Sequence, residues 1–150
     1  MTISYNKLGS NGRLGNQMFQ YASLRGIAWY NNFQWMIPPE DCNHKDNYGL
    51  FETFKMTNVK PENIGFNDAM SITEKGHEFD DSLFHCTDGV NLDGYMQTEK
   101  YFAHMSDQIH EDFTFKDDFL EPCKDIISCL LYTSPSPRDQ RGSGVGGGGG

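Results

Sequence analysis

The chain has 150 residues, enough for one ordinary domain around a single core. Its hydrophobic fraction of 37% and aromatic fraction of 13% supply the large side chains that close such a core, and exclude wholesale disorder. With 21 acidic against 12 basic residues and a formal net charge of −9, the overall field repels nucleic acid and anionic membranes, so an anionic small molecule binds only where a local arginine and oriented backbone N–H groups overcome that field.

Met1 leads into Thr-Ile-Ser-Tyr-Asn with no basic-then-apolar leader, and no later apolar run approaches the ~20 residues that span a bilayer. The expectation is a cytoplasmic protein without a membrane span. Ile3 to Leu8 predicts a first strand, followed by a glycine turn from Gly9 to Gly15. From Asn16 to about Tyr30, Met18, Tyr21, Ala22, Arg25, Ala28 and Trp29 share one face at helical spacing, while Phe19, Leu24 and Ile27 make much of the other side apolar. A helix apolar on both sides belongs between a sheet and other structure. Asn31-Asn32 ends it, and Phe33 to Ile37 predicts a second strand stopped by Pro38-Pro39. Strand, turn, helix and strand in this order begin a βαβ unit, which implies parallel strands and an α/β fold.

The stretch from Glu40 to Gly89 is polar and reads mainly as loop, with a short helix expected within Tyr48 to Met56 and a strand within Ser82 to Cys86. Val90 to Tyr95 predicts a strand, Glu99 to about Asp112 a helix, and Phe119 to Ile127 a further helix. Cys42, Cys86, Cys123 and Cys129 form no Cys-x-x-Cys pair and match no zinc pattern with the histidines, so free thiols are expected. From Thr133 the chain runs through Ser-Pro-Ser-Pro-Arg-Asp-Gln-Arg into a glycine-rich end, a composition that buries no apolar area, and it is preceded by Cys129-Leu-Leu-Tyr. That string resembles translated sequencing-adapter read-through, so the expected organisation is a truncated lobe over residues 1–128 and a foreign, disordered tail over 129–150.

A glycine turn between a strand and a helix N-terminus offers unpaired N–H groups and the positive end of the helix dipole to an anion. The spacing Gly9-x-x-Gly12-x-x-Gly15 is not the Gly-x-Gly-x-x-Gly of dinucleotide binders, and no Gly-Lys-Ser/Thr follows to make a P-loop. A dehydrogenase of the Rossmann type is a distant reading for the same reason. The segment Gly12-Arg-Leu-Gly-Asn-Gln-Met-Phe-Gln-Tyr-Ala22 does resemble, over eleven consecutive residues, the N-terminal signature of the α-1,2-fucosyltransferases of glycosyltransferase family 11. Gly94-Tyr-Met-Gln-Thr-Glu-Lys-Tyr-Phe102 is similar to a second motif of that family, with Met96 and Thr98 as departures, and Ile109 to Phe115 is similar to the segment that follows it.

The resemblance implies a two-lobed GT-B-like fold of facing Rossmann-like domains, of which this chain is the N-terminal, acceptor-side lobe without its donor-binding partner. It implies inverting transfer of L-fucose from GDP-β-L-fucose to a galactoside hydroxyl in α-1,2 linkage, without an essential metal or other cofactor. No Asp-x-Asp pair of the kind that holds a catalytic cation occurs in the chain. Partners are then a nucleotide sugar and a galactoside or oligosaccharide acceptor. By the same resemblance Gly12, Arg13, Gly15, Asn16 and Gln17 face the donor diphosphate, where a guanidinium and a helix N-terminus stabilise the departing charge. Tyr95, Gln97 and His44 are the candidate acceptor contacts, with His44, beside Asp46, as a candidate base. The family's His-x-Arg-Arg-x-Asp motif is absent, and the only arginines are Arg13, Arg25, Arg138 and Arg141, so no catalytic residue is assigned within the chain and it is expected to be inactive alone. The alternative is a non-catalytic carbohydrate- or nucleotide-binding module on a βαβ scaffold.

Overall fold

The computed structural model describes residues 1–10, 12–41, 48–68, 70–118 and 121. The chain divides into two compact units, Met1–Thr114 and Phe115–Gly150, and among the described residues the first contains the strands, the helices named below and the buried core. Strands β1 (Thr2–Ser4), β2 (Gln34–Met36), β3 (Met70–Thr73) and β4 (Val90–Asp93) form a parallel sheet in the order β2-β1-β4-β3. This is an α/β fold compatible with a Rossmann-like lobe.

Helix α1 (Leu14–Asn31) joins β1 to its neighbour β2, as the apolar pattern predicts. Residues 20–28 of α1 are all buried, which explains why the helix is apolar nearly all round. Leu24 and Ile27 pack in one cluster with Ile3 and Tyr5 from the β1 region, Leu92 of β4, and Tyr101. Burying a Leu or Ile side chain contributes roughly 1.5–3 kcal/mol, so this layer is the main stabilising term of the unit. At the far end Asn32 takes the left-handed conformation (φ 57°) and donates its N–H to the Ala28 and Trp29 carbonyls, a C-terminal cap that the Asn31-Asn32 pair foreshadows.

Several elements differ from expectation. β1 stops at Ser4 rather than Leu8, because Leu8 N–H donates to the Tyr5 carbonyl (3.2 Å) and Ser10 N–H to the Lys7 carbonyl (2.9 Å), folding the end back as turns. The strand expected within Ser82 to Cys86 is instead a 3₁₀ turn, Asp81–His85. Asp80 dictates it, since its carboxylate accepts from Ser82 N–H (3.1 Å) and Ser82 Oγ (2.5 Å) and so caps a helical start. β3 lies in a stretch read as loop: its Met-Ser-Ile-Thr alternates and Ile72 packs against the core, but a strand of 4 residues inside a polar stretch is too short for that alternation to stand out.

The helix expected within Tyr48 to Met56 is the single turn α2 (Leu50–Thr53). That expected from Glu99 to Asp112 is broken into 3₁₀ turns at Glu99–Tyr101 and Ala103–Met105 and the helix α3 (Ser106–Asp112). The break falls at Phe102 (φ −138°, ψ 8°), beside the point where Gly26 of α1 meets the backbone of Tyr101 and Phe102. The further helix within Phe119 to Ile127, apart from Glu121, and the tail over 129–150 lie outside the described residues. Cys86 is a free thiol whose pKa burial pushes up, while Cys42, Cys123 and Cys129 also lie outside the described residues. Among the described residues no helix is long and apolar enough to cross a membrane.

A buried ionic triad ties α1 to α3. Arg25 pairs with Asp112, Tyr21 donates its hydroxyl to the same carboxylate (2.5 Å), and the guanidinium lies over the Trp35 ring, 5.0 Å from its centroid. The other Asp112 oxygen accepts from Asn58 N–H (3.0 Å) and its amide (2.6 Å), so the carboxylate is satisfied on both sides.

Candidate functional site

In a parallel sheet the loops that follow the strands gather at the carboxyl edge, and ligands of open α/β folds bind there, where neighbouring strands send their chains apart. β1 and β4 are such neighbours, paired at Ser4 and Asn91. β1 continues into the glycine turn and α1, and β4 continues into Gly94–Thr98. The two segments singled out in the sequence are therefore brought side by side by strand order alone.

The turn ends at Arg13, which is the N-cap of α1, and Arg13 O accepts the first helical bond from Gln17 N–H (2.9 Å). The Arg13 side chain makes no capping bond, and no acidic residue stands in the first turn of α1. The start of this 18-residue helix presents the positive end of its dipole, which favours an anion. The Arg13 side chain is exposed and makes no hydrogen bond or ion pair with a described residue. Lys7, in the same loop, is committed to Asp93 at the end of β4 (2.8 Å), which also neutralises the carboxylate nearest the strand ends.

Asn16 sits inside the first helical turn rather than at the cap, so its side chain is released for another use. Its Oδ1 accepts from Gln97 Nε2 at 2.5 Å, a contact between positions 81 residues apart that joins the two segments directly. Gly12 makes room for it. With φ +103° its backbone favours glycine, and a Cβ there would come within 2.7 Å of Asn16 Cβ. Gly15 is exposed, has open space where its Cβ would be, and lines a groove of about 540 Å³ with Met18, Phe19, Phe102, His110 and Phe113.

Gln17 is placed differently from its neighbours in the motif. It is fully buried, its amide donates to the Gly12 carbonyl (3.2 Å) and its carbonyl accepts from Gly49 N–H (3.1 Å), so it shapes the turn from below. Tyr95 is 43% exposed and Gln97 is exposed, both on the loop after β4. His44 and Asp46 lie outside the described residues. Among the described residues no group of three or more His, Cys, Asp or Glu side chains is arranged to hold a metal ion.

Two residues of this edge carried no sequence signal as site residues. Glu74, just after β3, accepts from Met96 N–H (3.0 Å) and from the Tyr101 hydroxyl (2.9 Å). Tyr5, just after β1, donates its hydroxyl to the Gly94 carbonyl. A lone glutamate in a polar stretch and a tyrosine in an apolar one look ordinary in sequence, and only the strand order shows what they hold.

The chain is 28% identical over 145 residues to galactoside alpha-(1,2)-fucosyltransferase 1 of Alouatta belzebul, a match covering 90% of this chain and 36% of that protein. It therefore spans about a third of the length of the relative it matches. No family model matches the chain, and no solved structure does. The likeness indicates a distant, fucosyltransferase-like relationship and, with it, a possible transferase.

Proposed function

We propose that residues 1–128 are the N-terminal lobe of a GT-B-like glycosyltransferase that transfers L-fucose from GDP-β-L-fucose to a galactoside hydroxyl. The single observation that carries this reading is the Asn16–Gln97 hydrogen bond. It unites the two family-like segments at the carboxyl edge of adjacent parallel strands, beside the N-terminus of α1 and a guanidinium that pairs with no described residue.

In an inverting transfer the acceptor oxygen attacks the anomeric carbon of fucose, the bond from that carbon to the β-phosphate oxygen breaks, and the electron pair leaves with GDP. Negative charge grows on the departing diphosphate, while the acceptor hydroxyl gives its proton to a base. Arg13 and the N–H groups at the start of α1 stabilise that charge, a task a metal ion performs in other transferases. Gly12 and Gly15 let the backbone come close to the phosphates, and Asn16 is held in register by Gln97. Tyr95 and Gln97 present an aromatic face and an amide to the acceptor. The His-x-Arg-Arg-x-Asp string of the family does not occur in this sequence, so turnover belongs to a longer protein and not to this chain alone.

The test is a GDP titration of the 150-residue chain followed by amide chemical shifts. Shifts concentrated at 12–17 and 95–97, weakened at least tenfold by Arg13→Ala as expected for a charge-assisted donor, support the reading. Binding that is absent, or present but indifferent to Arg13→Ala, refutes it.

A further inference from the structure

The loop Gly94–Thr98 is held far more tightly than its exposed position requires. Gly94 has φ +136°, and Met96, a residue with a side chain, stands in the left-handed region at φ +51° while its side chain is fully buried in the core. A non-glycine residue held there persists only where its surroundings impose it, and such residues gather at binding sites. In this loop the surroundings are explicit. Ser23 of α1 donates to the Met96 carbonyl (3.3 Å), as does Thr98 N–H (2.9 Å), and Tyr5 donates to the Gly94 carbonyl.

Glu74 is the hub of this arrangement. Its N–H donates to the Asp93 carbonyl (2.9 Å), anchoring it to the end of β4. Its carboxylate then reaches back over Gly94, where a Cβ would come within 2.7 Å of Glu74 Cβ. One oxygen takes Met96 N–H (3.0 Å) and the other the hydroxyl of Tyr101 (2.9 Å), whose oxygen in turn accepts from Asp80 N–H (2.8 Å). Between the clamped positions 94, 96 and 98 the side chains at 95 and 97 point outward and are exposed. Fixing the backbone at Met96 fixes where Gln97 emerges, and Gln97 is what meets Asn16.

We infer that Glu74 is a positioning residue that presets the Gly94–Thr98 loop, and through Gln97 the Asn16 side chain, for a nucleoside diphosphate sugar at the carboxyl edge of β1 and β4. This rests on the nucleotide-sugar reading for the identity of the ligand, though not for the role of Glu74. A preset loop saves the cost of ordering it when the ligand arrives, which for one side chain corresponds to about three- to tenfold in affinity.

The experiment compares wild type with E74A, E74Q, Q97A and E74A/Q97A in the full 150-residue chain, using GDP as the probe and the side-chain nuclear Overhauser contact between Gln97 and Asn16 as a second readout. E74A is expected to weaken GDP about three- to tenfold and to lose the Gln97–Asn16 contact. E74Q, which keeps a carbonyl for Met96 N–H, is expected to retain the contact and bind within about threefold of wild type. The double variant is expected to bind no more weakly than Q97A, because both changes remove the same preset geometry. Additive losses, or an E74A chain that keeps the Gln97–Asn16 contact, overturn the proposal. If wild type binds no GDP the nucleotide reading fails by itself, and the contact readout still decides the role of Glu74. Should E74A fail to fold, E74D, whose shorter side chain withdraws the carboxylate from Met96 N–H, is expected to lose the Gln97–Asn16 contact, and a folded E74D chain that keeps it overturns the proposal.

Discussion

Arg13 occupies a helix N-cap, a position that Ser, Thr, Asp and Asn fill best because their short oxygens accept the orphan N–H groups. An arginine accepts nothing, so helix stability is given up at this position, a loss that the proposed diphosphate contact would account for. Arg13→Asp is therefore expected to raise the unfolding free energy by about 1 kcal/mol in urea while abolishing GDP binding. A variant that is both less stable and still able to bind would contradict that trade. Asp112 stands at the opposite extreme, fully buried and bonded to Arg25, Tyr21 and Asn58. Removing one partner strands a buried charge, so Asp112→Ala is expected to cost about 3–5 kcal/mol by the same denaturation measurement. The spacing of Arg25 on an apolar helix face is visible in the sequence. Its partner 87 residues away is not, because nothing local distinguishes Asp112 from the other acidic residues around it.

At the level of elements, the fate of a helix depends on what crosses it. The 99–112 segment has a helical pattern, yet α1 presses its Gly26 against the backbone of Tyr101 and Phe102, and a Cβ at Gly26 would lie 2.8 Å from Phe102 Cα and 2.9 Å from Tyr101 C. Gly26→Ala adds about 1 kcal/mol of helix propensity to α1 but forces two backbones apart, with a net loss of about 2 kcal/mol expected from thermal unfolding. A gain in stability would show that the close approach is unimportant. The same contrast between local and non-local causes separates the strands. β1 and β4 bury apolar residues in the core, whereas the edge strands β2 and β3 bury none fully and rest Trp35 and Ile72 against it, and of these two β3 is the one set in a polar stretch that hides it. The Asp81–His85 turn, expected as a strand, is set by a cap from Asp80 that a short apolar run conceals.

Across the whole molecule, the groups with shifted pKa values set the direction in which stability changes toward acid and toward alkali. The Asp80 carboxyl is held below the usual range, chiefly by the Ser82 hydroxyl and further by the N–H groups of Lys75 and Ser82. A depressed folded pKa means stability that is complete above about pH 4 and is lost as pH falls through the folded value. Asp80→Asn is expected to flatten that acid limb in a series of denaturation curves. Burial pushes the Tyr101 phenol well above its ordinary value, and burial does the same to Tyr21. The unfolded chain therefore ionises first, so this stability is complete below about pH 10 and declines above it, and Tyr101→Phe is expected to lessen the alkaline decline. The sequence by itself determined the α/β class, the parallel β1-α1-β2 start and the glycine turn before a buried helix, because each is written in local periodicity and in residues that allow only certain backbones. Only the tertiary structure decided that β4 lies beside β1, that Asn16 meets Gln97, that Gln17 is structural support for the turn, and that Glu74 holds the neighbouring loop. Those facts depend on strand order, which is settled by the packing of the whole chain and leaves no mark on any one stretch of it.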